Sequence, residues 1–185
     1  MTELEAQIRR ATTADAQALS RFSAALLPLG CPANTKPEDL AEYVRQELTP
    51  QRFCALLEDD RNAILVVSIS DELAGYAFIA RGSAPSHMQL SAGVELRKFY
   101  VDAAWHGRGV ANALMKRVLE IAADGREGAL WLSVFSGNER AISFYRKWGF
   151  RIAGAQDFLV GTDRQKDYLM QHDATINAKE DYSCQ

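Results

Sequence analysis

The chain has 185 residues, which is enough for one hydrophobic core and short for two full-sized domains. Its 21 basic and 24 acidic residues give a net charge of -3, so we expect no nucleic-acid or membrane partner. Three widely separated cysteines without a CxxC pair predict neither a disulfide framework nor a metal site. No signal-like or membrane-length apolar run occurs, and these features together favour a cytoplasmic protein.

The N-terminal region predicts a strand followed by a helix. The strand lies near Glu5 to Ala11, and Thr12 or Thr13 caps the helix that follows it. Pro28 and Gly30 are predicted to end this helix, because proline and glycine both interrupt helical backbone.

A second helix is predicted to open at Thr35, where Thr35 and Glu38 have the spacing of a capping box. A short helical segment follows Thr49 and Pro50. Strands are then expected at Ala63 to Ile69, Leu73 to Ala80 and Gly93 to Val101.

The second half alternates helices and strands. A helix from Gly107 to Ala123 has apolar residues at a spacing of three to four, as expected when one face packs on a sheet. The remaining predicted elements are a strand at Ala129 to Val134, a helix at Asn138 to Trp148, and strands at Phe150 to Phe158 and Asp167 to His172. We therefore predict an α/β (α+β) fold in which residues 1–172 form one domain, with a mixed sheet of about six to seven strands, helices on both faces, and a polar tail at 173–185.

The segment from His106 to Asn112 is the clearest candidate for ligand binding. Gly107 and Gly109 permit close backbone approach directly before a helix, whose free N–H groups and positive dipole end attract anions. Arg108 adds a cation beside them. A Rossmann site fits poorly, because the third glycine position is occupied by Asn112. The pattern favours another phosphate-bearing ligand.

Two motifs resemble those of the GNAT superfamily of N-acetyltransferases. His106-Gly107-Arg108-Gly109-Val110-Ala111 is similar to its pyrophosphate loop, Q/R-x-x-G-x-G/A, with His106 as the one departure. The segment from Asn138 to Phe150 is similar to its second cofactor motif, N-x-x-A-x-x-F-Y-x-x-x-G-F, at full spacing. The resemblance implies acetyl-CoA as cosubstrate and an amine as acceptor. The candidate cofactor-binding residues are Phe99, Tyr100, Val101, His106, Gly107, Arg108, Gly109, Val110, Ala111, Asn112, Asn138 and Tyr145.

A finer likeness concerns the C-terminal region. Phe158-Leu159-Val160-Gly161, followed by Gln165-Lys166-Asp167, is similar to the hairpin of the bacterial spermidine/spermine acetyltransferase branch. This likeness points to a small amine or polyamine acceptor. A peptide amine, a longer acyl donor, a homodimer and a CoA-binding module without turnover stay open as alternatives.

The resemblance also implies two catalytic residues. Glu95 stands where several members of the superfamily carry a base, although it has the alternative of pairing with Arg97 or Lys98, and a bulge would change which side chains face the cleft. Asp102 is the second candidate base. Tyr145 is expected to face the cleft as a general acid.

Two neighbouring residues of the second motif have alternative roles. Phe144 is expected in the core, because adjacent helical side chains point about 100 degrees apart. Asn138 has the alternative role of a helix N-cap.

Overall fold

A computed structural model of the protein describes residues 6–84, 93–124, 129–160 and 162–172. The predicted tail at 173–185 lies outside the described residues. In chain order the elements are β1 (Gln7–Arg10), α1 (Ala16–Gly30), α2 (Pro37–Glu47), α3 (Pro50–Glu58), β2 (Asn62–Ile69), β3 (Glu72–Ser83), β4 (Gly93–Val101), α4 (Val110–Asp124), β5 (Leu130–Phe135), α5 (Glu139–Lys147), β6 (Arg151–Val160) and β7 (Asp163–His172).

Within these ranges the seven strands form one sheet in the order β1-β2-β3-β4-β5-β7-β6. Every neighbouring pair is antiparallel except β4 and β5, which run parallel. The predicted mixed sheet with flanking helices is therefore confirmed. No helix among the described residues is long and apolar enough to cross a membrane.

Strand β2 separates two hydrophobic clusters, one on each face of the sheet. Leu65 and Val67 belong to the cluster that contains α4 and α5, while Ile64 and Val66 belong to the cluster that contains α1 and α3. This alternation follows from the two-residue period of strand side chains. The sequence of β2 is apolar along most of its length because helices cover both of its faces.

The predictions for the end of α1 and the start of α2 are each wrong at one residue. Helix α1 ends at Gly30, as predicted, but Pro28 does not interrupt it. Pro28 lies inside the last turn, where proline loses a single backbone hydrogen bond and its fixed φ remains helical. Thr35 does not cap α2, whose N-cap is Lys36. The Thr35 hydroxyl instead donates to Asp163 Oδ2 at 3.0 Å, so tertiary contact with β7 replaces the expected local capping box.

The parallel pair β4 and β5 separates soon after it forms. The register joins Val94 with Leu130 and Glu95 with Trp131, and no pair follows, although β4 continues to Val101. A bulge also interrupts the pairing of β4 with β3, because Phe78 opposes Lys98 while Ile79 opposes Leu96, leaving Arg97 as the extra residue. The sheet consequently opens beside the second half of β4.

Candidate active site

A cavity of about 810 Å³ occupies the opening between β4 and β5. On one side it reaches the start of α4 and the residues Asn138 and Tyr145. On the other it reaches α1 and α2, where its lining includes Tyr43 and Lys98. The separation of the two strands thus joins the two faces of the sheet in one cavity.

The turn before α4 has the geometry of an anion site. Gly107 and Gly109 adopt φ values of +74° and +83°, a left-handed conformation that glycine enters without the usual steric cost. The first N–H groups of α4, at Val110, Ala111 and Asn112, have no intrahelical acceptor. They are positioned with the positive end of the helix dipole to receive phosphate oxygens.

The side chains of this turn mostly brace it. His106 Nε2 lies 2.9 Å from the carbonyl oxygen of Val101, which ties the turn to the end of β4. The Arg108 guanidinium lies 5.4 Å from the centre of the Trp105 ring and is exposed to solvent. Asn112 accepts a hydrogen bond from Trp148 Nε1 at 3.4 Å. His106, the one residue that departs from the family's loop motif, is therefore held by its contact with the end of β4.

The end of β4 presents backbone groups to the cavity. Phe99, Tyr100 and Val101 all line it, and beyond Glu95 this strand has no register partner on the β5 side. Backbone polar groups along such an edge need hydrogen-bond partners. The amides of a pantetheine arm have the chemistry to provide them.

Tyr145 is placed at the cavity by α5, and its ring packs within 5.7 Å of both Phe144 and Phe150 between ring centres. Its hydroxyl makes no hydrogen bond with any described residue. Burial raises its pKa, so the phenol stays protonated at neutral pH. Tyr145 lines the cavity as expected, but it is only 8% exposed and belongs to the core cluster as well. Phe144, which was expected in the core, packs against that cluster but is only half-buried and also lines the cavity.

The two candidate bases occupy different environments. Glu95 lines the cavity, and its Oε2 accepts hydrogen bonds from Ser83 Oγ at 2.7 Å and Arg97 Nε at 2.8 Å. Asp102 is not among the lining residues, and its Oδ1 accepts from the Ala104 N–H at 2.8 Å. The geometry therefore favours Glu95 over Asp102 as the base. Glu95 also pairs with Arg97, which was the alternative role expected from the sequence.

Asn138 is both a helix N-cap and a residue of the cavity lining. Its Oδ1 accepts the Ala141 N–H at 3.1 Å, which makes it the N-cap of α5, and the residue also lines the cavity. The side-chain amide nitrogen is not needed for the cap. This nitrogen is therefore available to donate a hydrogen bond to a ligand.

Three cavity residues were not identified as site residues from the sequence. Tyr43 was not singled out, Lys98 was named only as an ion-pair partner for Glu95, and Asp167 was named only at the start of the last strand and in the hairpin likeness. The Lys98 ammonium lies 3.5 Å from the Tyr43 hydroxyl, and burial lowers its pKa. No local pattern marks these residues, because distant elements bring them together.

Comparisons with known proteins agree with this arrangement. The model of the acetyltransferase (GNAT) family matches residues 31–150, which include the glycine turn, Asn138 and Tyr145. An uncharacterized N-acetyltransferase of Mycobacterium tuberculosis is 39% identical over 156 residues, covering 84% of this chain and 96% of the relative. The N-alpha-acetyltransferase RimI of the same species is 29% identical over 126 residues, covering 68% of this chain and 75% of RimI.

Solved structures share the fold. The PaiA N-acetyltransferase of Thermoplasma acidophilum, determined in complex with coenzyme A, superposes with a TM-score of 0.73. The match covers 91% of this chain and 99% of that one, at 15% sequence identity. The same arrangement of sheet and helices is thus present in an enzyme seen with this cofactor.

Proposed function

The chain belongs to the acetyltransferase (GNAT) family and is an acetyl-CoA-dependent N-acetyltransferase, and from that premise we propose that it acetylates a small cationic amine by direct attack in a ternary complex. One observation carries the proposal. A single cavity joins the anion-binding turn at the start of α4 to the polar residues near α1 and α2. Donor and acceptor can therefore meet without an acyl-enzyme intermediate.

Each part of acetyl-CoA has a partner in this arrangement. The pyrophosphate binds the N–H groups of Gly107 and of Gly109 to Asn112, since the Arg108 N–H donates to the Trp105 carbonyl oxygen. The pantetheine arm follows the open edge of β4 from Phe99 to Val101. Asn138 binds the arm from the opposite side. The thioester then lies beside Tyr145.

Transfer forms one C–N bond, breaks one C–S bond, and moves protons at the acceptor nitrogen and at the leaving sulfur. The acceptor ammonium first loses a proton to Glu95, directly or through water, because an alkyl ammonium is protonated at neutral pH. Its nitrogen attacks the thioester carbonyl carbon, the C–S bond breaks, and the leaving sulfur takes the proton of the Tyr145 hydroxyl. The second nitrogen proton passes to solvent, Glu95 releases the proton it accepted to solvent, and Tyr145 regains its own proton from solvent, so that one proton is released in each turnover.

The acceptor side of the cavity favours a cation, and polyamines are our leading class. Three carboxylates, Glu47, Glu95 and Asp167, line the cavity. Glu47 and Glu95 pair with Arg52 and Arg97, so Asp167 is the carboxylate among these three that has no ion-pair partner among the described residues. The hairpin likeness to the spermidine/spermine branch supports the same class.

Lys98 favours a second class of acceptor, an amine that also carries a carboxylate. No acidic side chain among the described residues lies within 4 Å of its ammonium, so the carboxylate of such an acceptor would supply the ion-pair partner. RimI, whose name is N-alpha-acetyltransferase, adds peptide N-termini to the classes to be tested.

A panel of acceptors distinguishes these classes. Thiol release from acetyl-CoA is measured with spermidine, butylamine, L-methionine, a tetrapeptide with a free N-terminus and a lysine peptide. We expect spermidine to give the highest kcat/KM. Preference for L-methionine or a peptide would overturn the polyamine assignment, while thermal stabilisation by acetyl-CoA without any thiol release would indicate a binding module. Substituting propionyl- and butyryl-CoA tests the length of the acyl group.

A further inference from the structure

Asp167 is a buried carboxylate within the cavity that the mechanism above does not use. It is 6% exposed, lines the acceptor part and comes from β7. Its Oδ2 accepts a hydrogen bond from Ser133 Oγ at 2.7 Å, and Ser133 Oγ accepts one from Gln156 Nε2 at 3.2 Å. Its Oδ1 is shielded from bulk water and accepts no hydrogen bond from any described residue.

A half-satisfied buried carboxylate is costly for folding. Leaving a buried acceptor without a donor costs about 1–3 kcal/mol, and more when the group is charged. Burial raises the pKa of Asp167, and the hydrogen bond from Ser133 offsets this rise only in part. Yet one oxygen is held in place by a relay of two side chains from β5 and β6. This arrangement is typical of a group prepared to bind a ligand.

The free oxygen of Asp167, Oδ1, indicates what kind of group would bind to it. A carboxylate oxygen accepts hydrogen bonds, and in a shielded site it binds a cationic donor most strongly. Lys98 and Arg97 line the same cavity, but neither forms an ion pair with Asp167 among the described contacts. Of the molecules the reaction requires, only the amine acceptor supplies a cationic N–H group.

We propose that Asp167, held by Ser133 and Gln156, binds a cationic nitrogen of the acceptor through its Oδ1. The inference rests on the proposed function, since it assigns a site for the acceptor of that reaction. In spermidine the nitrogen is an ammonium or secondary ammonium, and in an amino acid or peptide it is the α-ammonium. Asp167 thereby contributes to the choice of acceptor and leaves acetyl-CoA binding to the other half of the cavity.

The test is Asp167→Asn, which keeps the size of the side chain and removes its charge. With acetyl-CoA saturating, KM for spermidine should rise about 10- to 100-fold, as expected for loss of a charge-assisted hydrogen bond, while kcat changes less than about threefold. Calorimetric titration of spermidine into the enzyme with CoA bound should show the same loss of affinity. The thermal stabilisation by acetyl-CoA should be unchanged.

Two further variants control for altered folding. Asp157→Asn makes the same chemical change at an exposed carboxylate of β6, which pairs with Arg164 at 3.0 Å outside the cavity, and should alter neither KM nor affinity. Ser133→Ala removes the bracing hydroxyl and should raise KM by a smaller factor. If Asp167→Asn unfolds, Asp167→Ser provides the same comparison.

The outcomes separate the two proposals. Thiol release with the wild-type protein, together with unchanged KM and affinity in a folded Asp167→Asn variant, would overturn the role of Asp167 and leave the function intact. Loss of spermidine affinity in the variant, in a protein that releases no thiol, would support the site and overturn the transfer reaction.

Discussion

Replacing Tyr145 with phenylalanine tests the proposed general acid with little disturbance of packing. The Tyr145 ring contacts Phe99, Phe144 and Phe150 at centroid distances of 5.7 to 6.3 Å, and phenylalanine retains all three contacts. The hydroxyl makes no hydrogen bond with a described residue, so its removal leaves no buried partner unsatisfied. We therefore expect the free energy of unfolding to change by less than about 1 kcal/mol.

The effect on turnover should be much larger. A CoA thiol has a pKa near that of cysteine, about 8.5, whereas a phenol is near 10 and burial raises the pKa of Tyr145 further. Proton donation is therefore useful only when it accompanies cleavage of the C–S bond. General acid catalysis contributes about 100- to 10,000-fold, so kcat for Tyr145→Phe should fall within that range while KM for acetyl-CoA stays constant.

The assay is single-turnover thiol release, which isolates chemistry from product release. Tyr168→Phe is the matched control, because Tyr168 packs against the same cluster, lies outside the cavity lining and should keep full activity. Near-full single-turnover activity in Tyr145→Phe would refute the reasoning. Solvent would then protonate the thiolate, and Tyr145 would serve packing alone.

Two more variants test the cofactor turn and the base. Saturation with acetyl-CoA at 100 times its Kd should raise the Tm of the wild type by about 5 to 10 °C, and Gly109→Val should abolish this shift by blocking the phosphates. Gly82→Val controls for backbone strain, because Gly82 also has open space around it and a φ of +68°, and this variant should keep the rise in Tm. An unchanged rise in Tm in a folded Gly109→Val variant would disprove the turn as the cofactor site. Glu95→Gln should lower kcat/KM most near pH 7 and least near pH 10, where free amine is abundant. A uniform loss would assign Glu95 to positioning, and Asp102→Asn should retain the wild-type profile.

Local signals in the sequence predicted most of the fold. Strand β4 begins and ends as predicted, because Gly93 and the loop after Val101 bound a run that contains valine and aromatic residues typical of strands. The short helix predicted after Thr49 and Pro50 is α3, and the structure shows that the Thr49 hydroxyl caps it. Thr35 had an equally good local signal, yet its hydroxyl binds Asp163, 128 residues away. Local rules fail where a distant group offers a competing hydrogen bond.

The same division applies to the candidate site. The glycine turn could be predicted as an anion site, because a helix start and its flanking residues are contiguous in sequence and their chemistry follows from backbone geometry. Asn138 and Tyr145 were indicated by the resemblance to the second cofactor motif, and both line the cavity. The sequence also raised the possibility of a bulge in β4, but its position at Arg97 required the register of two paired strands. The acceptor half depends on the gap where β4 leaves β5, which brings Lys98 and Asp167 into one cavity. Since strand separation results from twist and pairing across the whole sheet, only the tertiary structure determines it.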